Sequence, residues 1–153
     1  MPDFIRKTIR LKEFDYKTGY VYFVTICTKD KKHLFNDSKL AEFVASTIDH
    51  RVRNSEVIVY CYCIMSNHIH LLLSICEEYE KDLSAWIGTF KKYISIEGKK
   101  KFGIDDIWQK NYYDHVVRND ESMKTIADYI LNNPVRKGIV DEWEKYPFSR
   151  IMV

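Results

Sequence analysis

The sequence predicts an α+β fold in which helices pack on an antiparallel β-sheet. Segments rich in β-branched and aromatic residues alternate with segments whose apolar residues recur at helical spacing, in the order β, α, β, β, α, β, α. Two of the strand-like segments are separated by a link as short as a hairpin loop, which predicts antiparallel pairing. Together these observations match a ferredoxin-like, split βαβ sandwich with an extra C-terminal helix.

The first half of the chain contains a strand, a helix and a hairpin. Residues 20–28 (YVYFVTICT) are β-branched and aromatic throughout, which is typical of a strand buried on both faces. The sequence Asn-Asp-Ser then offers caps for a helix over about residues 39–53. Residues 57–64 and 68–75 are both strand-like, and the short sequence between them forms the hairpin loop.

The next predicted elements are a helix, a loop and a short strand. Asp82 or Ser84 can cap the helix, whose apolar residues recur at helical spacing to about Glu97. The sequence GKKKFG follows and predicts a loop, which glycine favours. An extended stretch is expected over about residues 112–117.

The last helix and the tail complete the fold. Asn119 and Asp120 can cap this helix, and Pro134 is expected to end it. Residues 138–153 show no regular pattern, so we expect an irregular tail that packs across the body of the protein. Residues 1–153 contain no repeat and no linker, which predicts a single domain.

Composition predicts a soluble cytoplasmic protein. Hydrophobic residues make up 46% of the 153 residues and charged residues 30%, so the chain can form a core and is neither disordered nor of low complexity. No window approaches the ~18 consecutive apolar residues of a membrane span, and no apolar segment follows the N-terminal charges. The 4 cysteines lie in apolar runs without a CxxC pair, which indicates buried free thiols in a reducing compartment.

The charge is small in sum but clustered along the chain. A formal net charge of +2 argues against a protein that coats nucleic acid without specificity. Two basic clusters could nevertheless contact phosphate groups, although a solvated helix face explains a single lysine run more simply. They are Arg6, Lys7, Arg10 and Lys12 near the N-terminus, and Lys91, Lys92, Lys99, Lys100 and Lys101 later in the chain.

Two histidines begin the third predicted strand, in the sequence His68-Ile69-His70. Because side chains alternate across a strand, both imidazoles project from one face while Ile69 projects from the other. Imidazole is a common ligand of divalent metal ions. A pair at this spacing is by itself more often a pair of partly exposed polar residues, so a metal site requires a further ligand from another element.

The last helix offers that ligand. At ~100° per residue its apolar residues form one arc centred near Met123, and both Tyr129 and Asn133 lie well outside that arc. The two residues are four positions apart, so a phenol and an amide lie one turn apart on one helix face. A tyrosine at the margin of the core and a polar residue at a helix end would explain each of them without a site. Only their combination with the histidines indicates one.

These four side chains are suited to phosphoryl transfer. Two imidazoles and an amide oxygen leave open positions on a divalent ion, which can polarise a phosphodiester oxygen. A tyrosine can be the nucleophile if a nearby cation, base or metal-held water helps to remove its proton. His115, Lys91 and Lys92 are candidates for that role, and the sequence does not choose among them.

Two motifs and three further stretches resemble a known family. The motifs are NHIH followed by LLL, and DYILNNPVRKG, and the further stretches are IRLKEFDYKTGYVYFVTICT, IWQKNYYDHVVRNDE and EKYPFS. In these features, and over nearly its whole length, the chain resembles the REP-associated tyrosine transposases. These belong to the single-tyrosine branch of the HUH endonucleases, where U is a hydrophobic residue. The chain departs from many relatives at Ser66, where they carry proline.

The resemblance implies a role for each residue of the candidate site. His68 and His70 match the histidines that hold a divalent metal, Mg²⁺ or Mn²⁺, in such enzymes, and Asn133 matches a further metal ligand. Tyr129 matches the nucleophile, which makes the extra helix the catalytic one. In this family the tyrosine attacks single-stranded DNA, keeps the 5′ phosphate as a phosphotyrosine and frees a 3′ hydroxyl.

The resemblance also implies the substrate. Family substrates are short palindromic repeats that fold into hairpins and are cleaved beside the stem. The N-terminal arm and residues 91–101 would then contact the DNA backbone, with His115 and Arg118 as further contacts. Trp86 or Tyr113 would be the stacking platforms. The protein is expected to be a monomer or a homodimer.

Three alternatives remain open. An insertion-sequence transposase that mobilises its own element as a domain-swapped dimer would use the same chemistry, although the sequence NNP after Tyr129 favours the repeat-associated group. A DNA-hairpin-binding regulator would keep the fold without cutting, but all four candidate site residues are present. A metal-binding RNA module would need aromatic stacking positions on central strands, for which Tyr60 and Tyr62 are the candidates.

Overall fold

The computed structural model describes residues 19–152, which form a five-stranded antiparallel sheet with helices on both faces. The strands are β1 (Val21–Cys27), β2 (Val57–Ile64), β3 (His68–Ile75), β4 (Tyr113–Val117) and β5 (Ser149–Ile151). The helices are α1 (Ser38–Arg53), α2 (Leu83–Phe102), α3 (Asp120–Leu131) and the single turn α4 (Asn133–Arg136). The sheet order is β4-β1-β3-β2-β5, and every neighbouring pair is antiparallel. The predicted α+β fold is confirmed.

One face of the sheet packs against α1 and α2. Val24 of β1 forms one buried cluster with Val44 of α1 and Phe90 of α2. Because side chains alternate along a strand, the positions in this cluster point away from the two histidines of β3. Trp86 belongs to the same cluster and is 0% exposed. The prediction that Trp86 is a stacking platform is therefore wrong, since the apolar face of α2 turns it into the core.

The other face packs against α3. Met123, Ala127 and Ile130 of this helix form a second buried cluster with Cys61 and Leu72 of the sheet. Helix α3 contacts β2 and β3, so it covers that half of the face. The neighbouring side chains of β1 and β4 on this face remain partly exposed, and they form one wall of the candidate site.

Helix α2 is longer than predicted. It continues through Gly98 to Phe102 and ends at Gly103, whose φ of 68° provides a left-handed cap. A Cβ at Gly98 would lie 2.8 Å from Ile107 Cδ1, so this glycine allows a close approach to the helix instead of ending it. The three lysines of GKKKFG therefore lie in the last turn of α2, where positive charge suits the helix dipole, and the predicted loop is wrong.

The tail is more regular than predicted. Strand β5 pairs with β2, with Ile151 opposite Cys61. The Tyr146 hydroxyl donates a hydrogen bond to the Ile64 carbonyl oxygen at 2.6 Å, which ties the segment before β5 to the end of β2. The tail becomes a strand because an open sheet edge lies beside it, and the local sequence does not show that edge.

The tyrosines of β2 are inside the protein. Tyr60 is 4% exposed and Tyr62 is 2% exposed, so neither ring offers a stacking surface. The helices cover both faces of this strand and β5 covers its edge. The feature on which the RNA-module alternative depended is therefore contradicted.

The four cysteines are all free thiols. Cys61 and Cys63 are buried as predicted, whereas Cys27 and Cys76 are only half-buried because each lies at the end of a strand or just beyond it. In the part of the chain that the structure describes, residues 19–152, no helix is both long and apolar enough to cross a membrane.

Candidate active site

The two predicted histidines, His68 and His70, lie side by side on the face of β3 against which α3 packs. Their ring centroids are 4.6 Å apart, and the pairing of β1 with β3 sets Thr25 opposite His70. His70 Nδ1 lies 2.9 Å from Thr25 Oγ1, and His68 Nδ1 lies 2.7 Å from Oδ1 of Asn67. A hydrogen bond at Nδ1 orients each ring and leaves Nε2 as the ring nitrogen for a ligand.

Both imidazoles are neutral at pH 7. Burial lowers the pKa of His68 to about 4, and the cations Lys137 and Lys31 add to this effect. Burial also lowers the pKa of His70 to about 3, to which His68 and Arg136 contribute. Neutral imidazole is the form that binds a metal ion, so metal binding near neutral pH displaces no proton from these rings.

Asn133 completes a group of three potential ligands. Its side chain is buried, and the amide Nδ2 lies 3.1 Å from His68 Nε2. Helix α3 ends at Leu131, earlier than the predicted end at Pro134, and α4 then begins at Asn133. Because the amide oxygen and nitrogen share one planar group, a half-turn of the amide presents its oxygen to a cation. Within residues 19–152 no cluster of three or more His, Cys, Asp or Glu side chains could hold a metal ion.

Tyr129 stands beside the histidines and is open to solvent. Its side chain is 47% exposed, and its ring centroid lies 5.8 Å from that of His70 and 6.0 Å from that of Phe23. On another side the Arg136 guanidinium carbon lies 4.0 Å from the ring centroid. The same guanidinium donates a hydrogen bond to the Tyr129 carbonyl oxygen at 2.7 Å. The phenol is therefore held by neighbouring side chains but remains accessible.

Together His68, His70, Tyr129 and Asn133 line a cleft of about 510 Å³, which we call the polar cleft. Its remaining walls come from the end of β1, from the loops before α1 and between β2 and β3, and from the residues after α4. Lys31 and Lys137 supply positive charge, and among the described residues no carboxylate lines this cleft. A cleft with this charge attracts an anionic ligand such as a phosphodiester.

A second cleft, of about 500 Å³, begins at the same residues and runs between α3 and β4. We call it the apolar cleft. It shares Thr25, His70 and Tyr129 with the polar cleft and adds Phe23 and Ile126. The exposed face of Tyr129 thus stands where the two clefts join.

The structure separates the three candidates for taking the tyrosine proton. His115 lines the apolar cleft together with Tyr129. Lys91 instead donates hydrogen bonds to the Gln109 carbonyl oxygen at 2.7 Å and the Lys110 carbonyl oxygen at 3.3 Å, and Lys92 is exposed on α2. Neither lysine lines either cleft, because α2 packs on the opposite face of the sheet.

Within the described residues 19–152, the other predicted DNA contacts do not line either cleft. Lys99, Lys100 and Lys101 lie at the end of α2, where Lys99 pairs with Asp105 at 3.3 Å. Arg118 is exposed just after β4. The N-terminal candidates lie outside the described residues; they are Arg6, Lys7, Arg10 and Lys12.

Several residues around the site were not among those predicted from the sequence. Arg136 and Lys137 follow Asn133 by three and four positions, so the turn spacing around Asn133 could have indicated them. Lys31 and Thr25 carried no such signal, because strand pairing and a loop bring them to the histidines from distant parts of the chain.

Comparison with known proteins identifies the family. The sequence model described as "Transposase IS200 like" matches residues 16–133, which include both histidines, Tyr129 and Asn133. The chain belongs to the IS200-like transposase family. Transposases are enzymes, so the prediction of an enzyme is confirmed. The predicted resemblance to the REP-associated tyrosine transposases is confirmed as well.

The chain is similar to two relatives and to one solved structure. The chain is 30% identical to an uncharacterised protein of Haemophilus influenzae, over 85% of this chain and 88% of that protein. It is 25% identical to the REP-associated tyrosine transposase of Escherichia coli, over 88% of this chain and 78% of that protein. The fold matches a REP-associated tyrosine transposase bound to a REP hairpin with a TM-score of 0.68 and 23% identity, covering 86% of this chain and 76% of that one.

Proposed function

We propose that this IS200-like transposase is a metal-dependent endonuclease and strand transferase for single-stranded DNA. It acts at palindromic hairpin repeats through a covalent 5′-phosphotyrosine on Tyr129. The observation that carries the proposal is that the exposed phenol of Tyr129 opens into one cleft with His68, His70 and Asn133. A nucleophile beside potential metal ligands is the arrangement that phosphoryl transfer requires.

The donor set fits a divalent ion, for which we propose Mg²⁺ or Mn²⁺. His68 and His70 are neutral, and the Nδ1 atom of each has a hydrogen-bond partner that orients the ring. Asn133 brings an amide within 3.1 Å of the first ring. When bound, the ion would polarise a phosphodiester oxygen and offset charge that develops in the transition state.

The chain's own residues account for the remaining chemistry. The Tyr129 oxygen attacks phosphorus, and the bond from phosphorus to the 3′ oxygen of the preceding nucleotide breaks. The phosphorus stays bonded to the Tyr129 oxygen and to the 5′ oxygen of the following nucleotide, and the 3′ oxygen of the preceding nucleotide leaves as a hydroxyl after taking a proton. Of the sequence candidates, His115 is favoured for taking the phenol proton because it shares a cleft with Tyr129. The freed 3′ hydroxyl can reverse the step without ATP.

Three observations support a hairpin DNA as the substrate. The solved relative was captured with a REP hairpin, and the E. coli relative carries the REP-associated name. The polar cleft itself contributes positive charge from Lys31 and Lys137 beside the proposed metal ligands. That charge would hold the phosphate at the junction of the two clefts.

Capture of a covalent adduct tests this function. Wild type is incubated with Mn²⁺ and a pool of single-stranded oligonucleotides in which a hairpin stem carries randomised flanks. Adducts that survive denaturation are isolated, sequenced and mapped by peptide mass. We expect one family of hairpins attached at Tyr129, no adduct from Tyr129→Phe, and normal adduct from the control Tyr20→Phe, which alters an exposed tyrosine outside both clefts.

The same experiment separates the alternatives. Tight binding of hairpins without any adduct would overturn the enzymatic proposal and favour the DNA-hairpin-binding regulator. Selected flank sequences that match the DNA beside the chain's own genetic element would instead favour an insertion-sequence transposase that mobilises itself.

A further inference from the structure

The apolar cleft is built where the catalytic helix leaves the sheet uncovered. Strands β1 and β4 form its floor, because their pairing sets Phe23 opposite His115 and Thr25 opposite Tyr113 on one face. Helix α3 packs over β2 and β3 and therefore stands as a wall at one side. Ile126 faces this cleft from α3. The result is an open slot between the edge of the sheet and a helix.

Aromatic rings dominate this slot and remain in contact with solvent. Tyr113 is 62% exposed because it lies on the edge strand β4, whereas its partner Thr25 lies on the interior strand β1. The Phe23 ring centroid lies 6.0 Å from that of Tyr129 and 6.4 Å from that of His115, both in edge contacts. Exposed rings at such spacing can stack with a planar ligand that is itself aromatic.

The position of the slot indicates which ligand it takes. A phosphate attacked by Tyr129 must lie at the junction of the two clefts, with the proposed metal ligands on its polar side. A nucleotide joined to that phosphate then lies no further from the apolar cleft than the length of one nucleotide of the DNA backbone. The groove continues past His115 and Ile126 to Asn119 and Ser122, so the strand has a path away from the junction.

We propose that the apolar cleft binds an unstacked nucleobase of the nucleotide next to the cleaved phosphate, with Tyr113 as its stacking platform. The inference rests on the proposed function, because it is the attack by Tyr129 that places the phosphate at the junction. Stacking there would hold the neighbouring nucleotide and so align the phosphate with the phenol. It would also restrict cleavage to single-stranded positions, since a paired base cannot enter the slot.

Equilibrium binding with abasic DNA tests the pocket without requiring cleavage. The Tyr129→Phe protein, which keeps the ring, is titrated with a hairpin oligonucleotide chosen from the pool. An abasic site replaces each nucleotide of its single-stranded flank in turn. We expect one position to weaken binding by roughly 5- to 150-fold, the range for loss of one stacked base. Adding Tyr113→Ala should reduce that penalty to less than about twofold.

Two control variants test whether the abasic penalty depends specifically on the Tyr113 ring. Tyr113→Phe keeps the ring and should keep the full abasic penalty. Tyr20→Ala removes a tyrosine of similar exposure, 66%, that lines neither cleft, and it should also keep the penalty. An abasic penalty that is the same with and without the Tyr113 ring, or no sensitive position at all, overturns the pocket.

The outcomes for pocket and chemistry are distinguishable. If wild type forms the Tyr129 adduct but the abasic penalty is the same with and without the Tyr113 ring, only the proposed base-binding role of the apolar cleft is wrong. If the Tyr113 ring accounts for the abasic penalty but wild type forms no adduct, the cleft binds a base, whereas the proposed chemistry and the link to a cleaved phosphate both fail.

Discussion

The Arg136 guanidinium lies over the Tyr129 ring, with its carbon 4.0 Å from the ring centroid, and also donates to the Tyr129 carbonyl oxygen at 2.7 Å. Arg136 therefore contacts both the ring face of the proposed nucleophile and a backbone carbonyl oxygen in the last turn of α3. Because Arg136 lies on α4, three residues after Asn133, the same short helix carries a potential metal ligand and the residue that positions the phenol.

Arg136→Gln should slow adduct formation more than it weakens DNA binding. Loss of the cation over the ring removes an interaction worth about 0.5–2 kcal/mol and lets the phenol rotate. We therefore expect a fall of roughly 2- to 30-fold or more in the single-turnover rate, and Arg136→Lys should recover part of it. Arg53→Gln, at an exposed position on α1, is the control and should leave the rate unchanged. An equal loss in hairpin affinity and in rate would show that Arg136 contacts DNA and does not position Tyr129.

Thr25→Val should weaken metal binding while leaving the proposed ligands in place. The Thr25 hydroxyl is the partner of His70 Nδ1 at 2.9 Å, and loss of such a partner typically costs 10–100-fold in metal affinity. Titration with Mn²⁺, followed by electron paramagnetic resonance, measures the change. Thr47→Val is the control because Thr47 is a buried threonine whose hydroxyl bonds to the Phe43 carbonyl oxygen within α1. Equal Mn²⁺ affinities in the two variants would argue against a metal at His70.

The thiols should react in two classes. Burial raises the pKa of the Cys63 thiol to about 12 and also raises that of Cys61, so at pH 8 almost no thiolate is present at either buried site. Cys27 and Cys76 are half-buried, and burial raises their pKa values as well, so they should react more slowly than a free thiol. A chromogenic disulfide reagent should thus count two thiols in native protein and four in denaturant.

Substitution of the two half-buried cysteines checks that assignment. The double variant Cys27→Ser, Cys76→Ser should show no fast-reacting thiol until it unfolds. Four thiols that react together in the native protein would contradict the buried placement of Cys61 and Cys63.

Two glycines of α2 should respond to alanine in opposite directions. Gly103 ends the helix with φ of 68°, a conformation that costs a residue with a Cβ roughly 1–2 kcal/mol, so Gly103→Ala should lower the free energy of unfolding by about that amount. Gly88 lies inside α2, and a Cβ added there would have open space around it for 4 Å. Gly88→Ala should therefore raise the free energy of unfolding by about 0.5–1 kcal/mol. Urea denaturation measures both, and a loss of stability in Gly88→Ala would contradict the open space beside it.

Local periodicity was sufficient to predict much of the fold and the candidate site. Strand alternation placed His68 and His70 on one face, and helical periodicity placed Tyr129 outside the apolar arc; the structure has both arrangements. The proposed roles of these residues, and of Asn133, remain predictions. The same local rules gave a loop at Gly98, where the structure has a helix, because they could not include the packing of Ile107.

Local patterns were enough to predict β1 to β4 and the three long helices, their apolar faces, and the four polar side chains of the candidate site. They could do so because propensity and periodicity depend on residues only a few positions apart. Three features depend on long-range packing: β5 pairs with the edge of β2, Thr25 contacts His70, and α3 covers half of one sheet face, which leaves the apolar cleft beside Tyr129. Those contacts join residues far apart in the chain, and they depend on how the whole core packs.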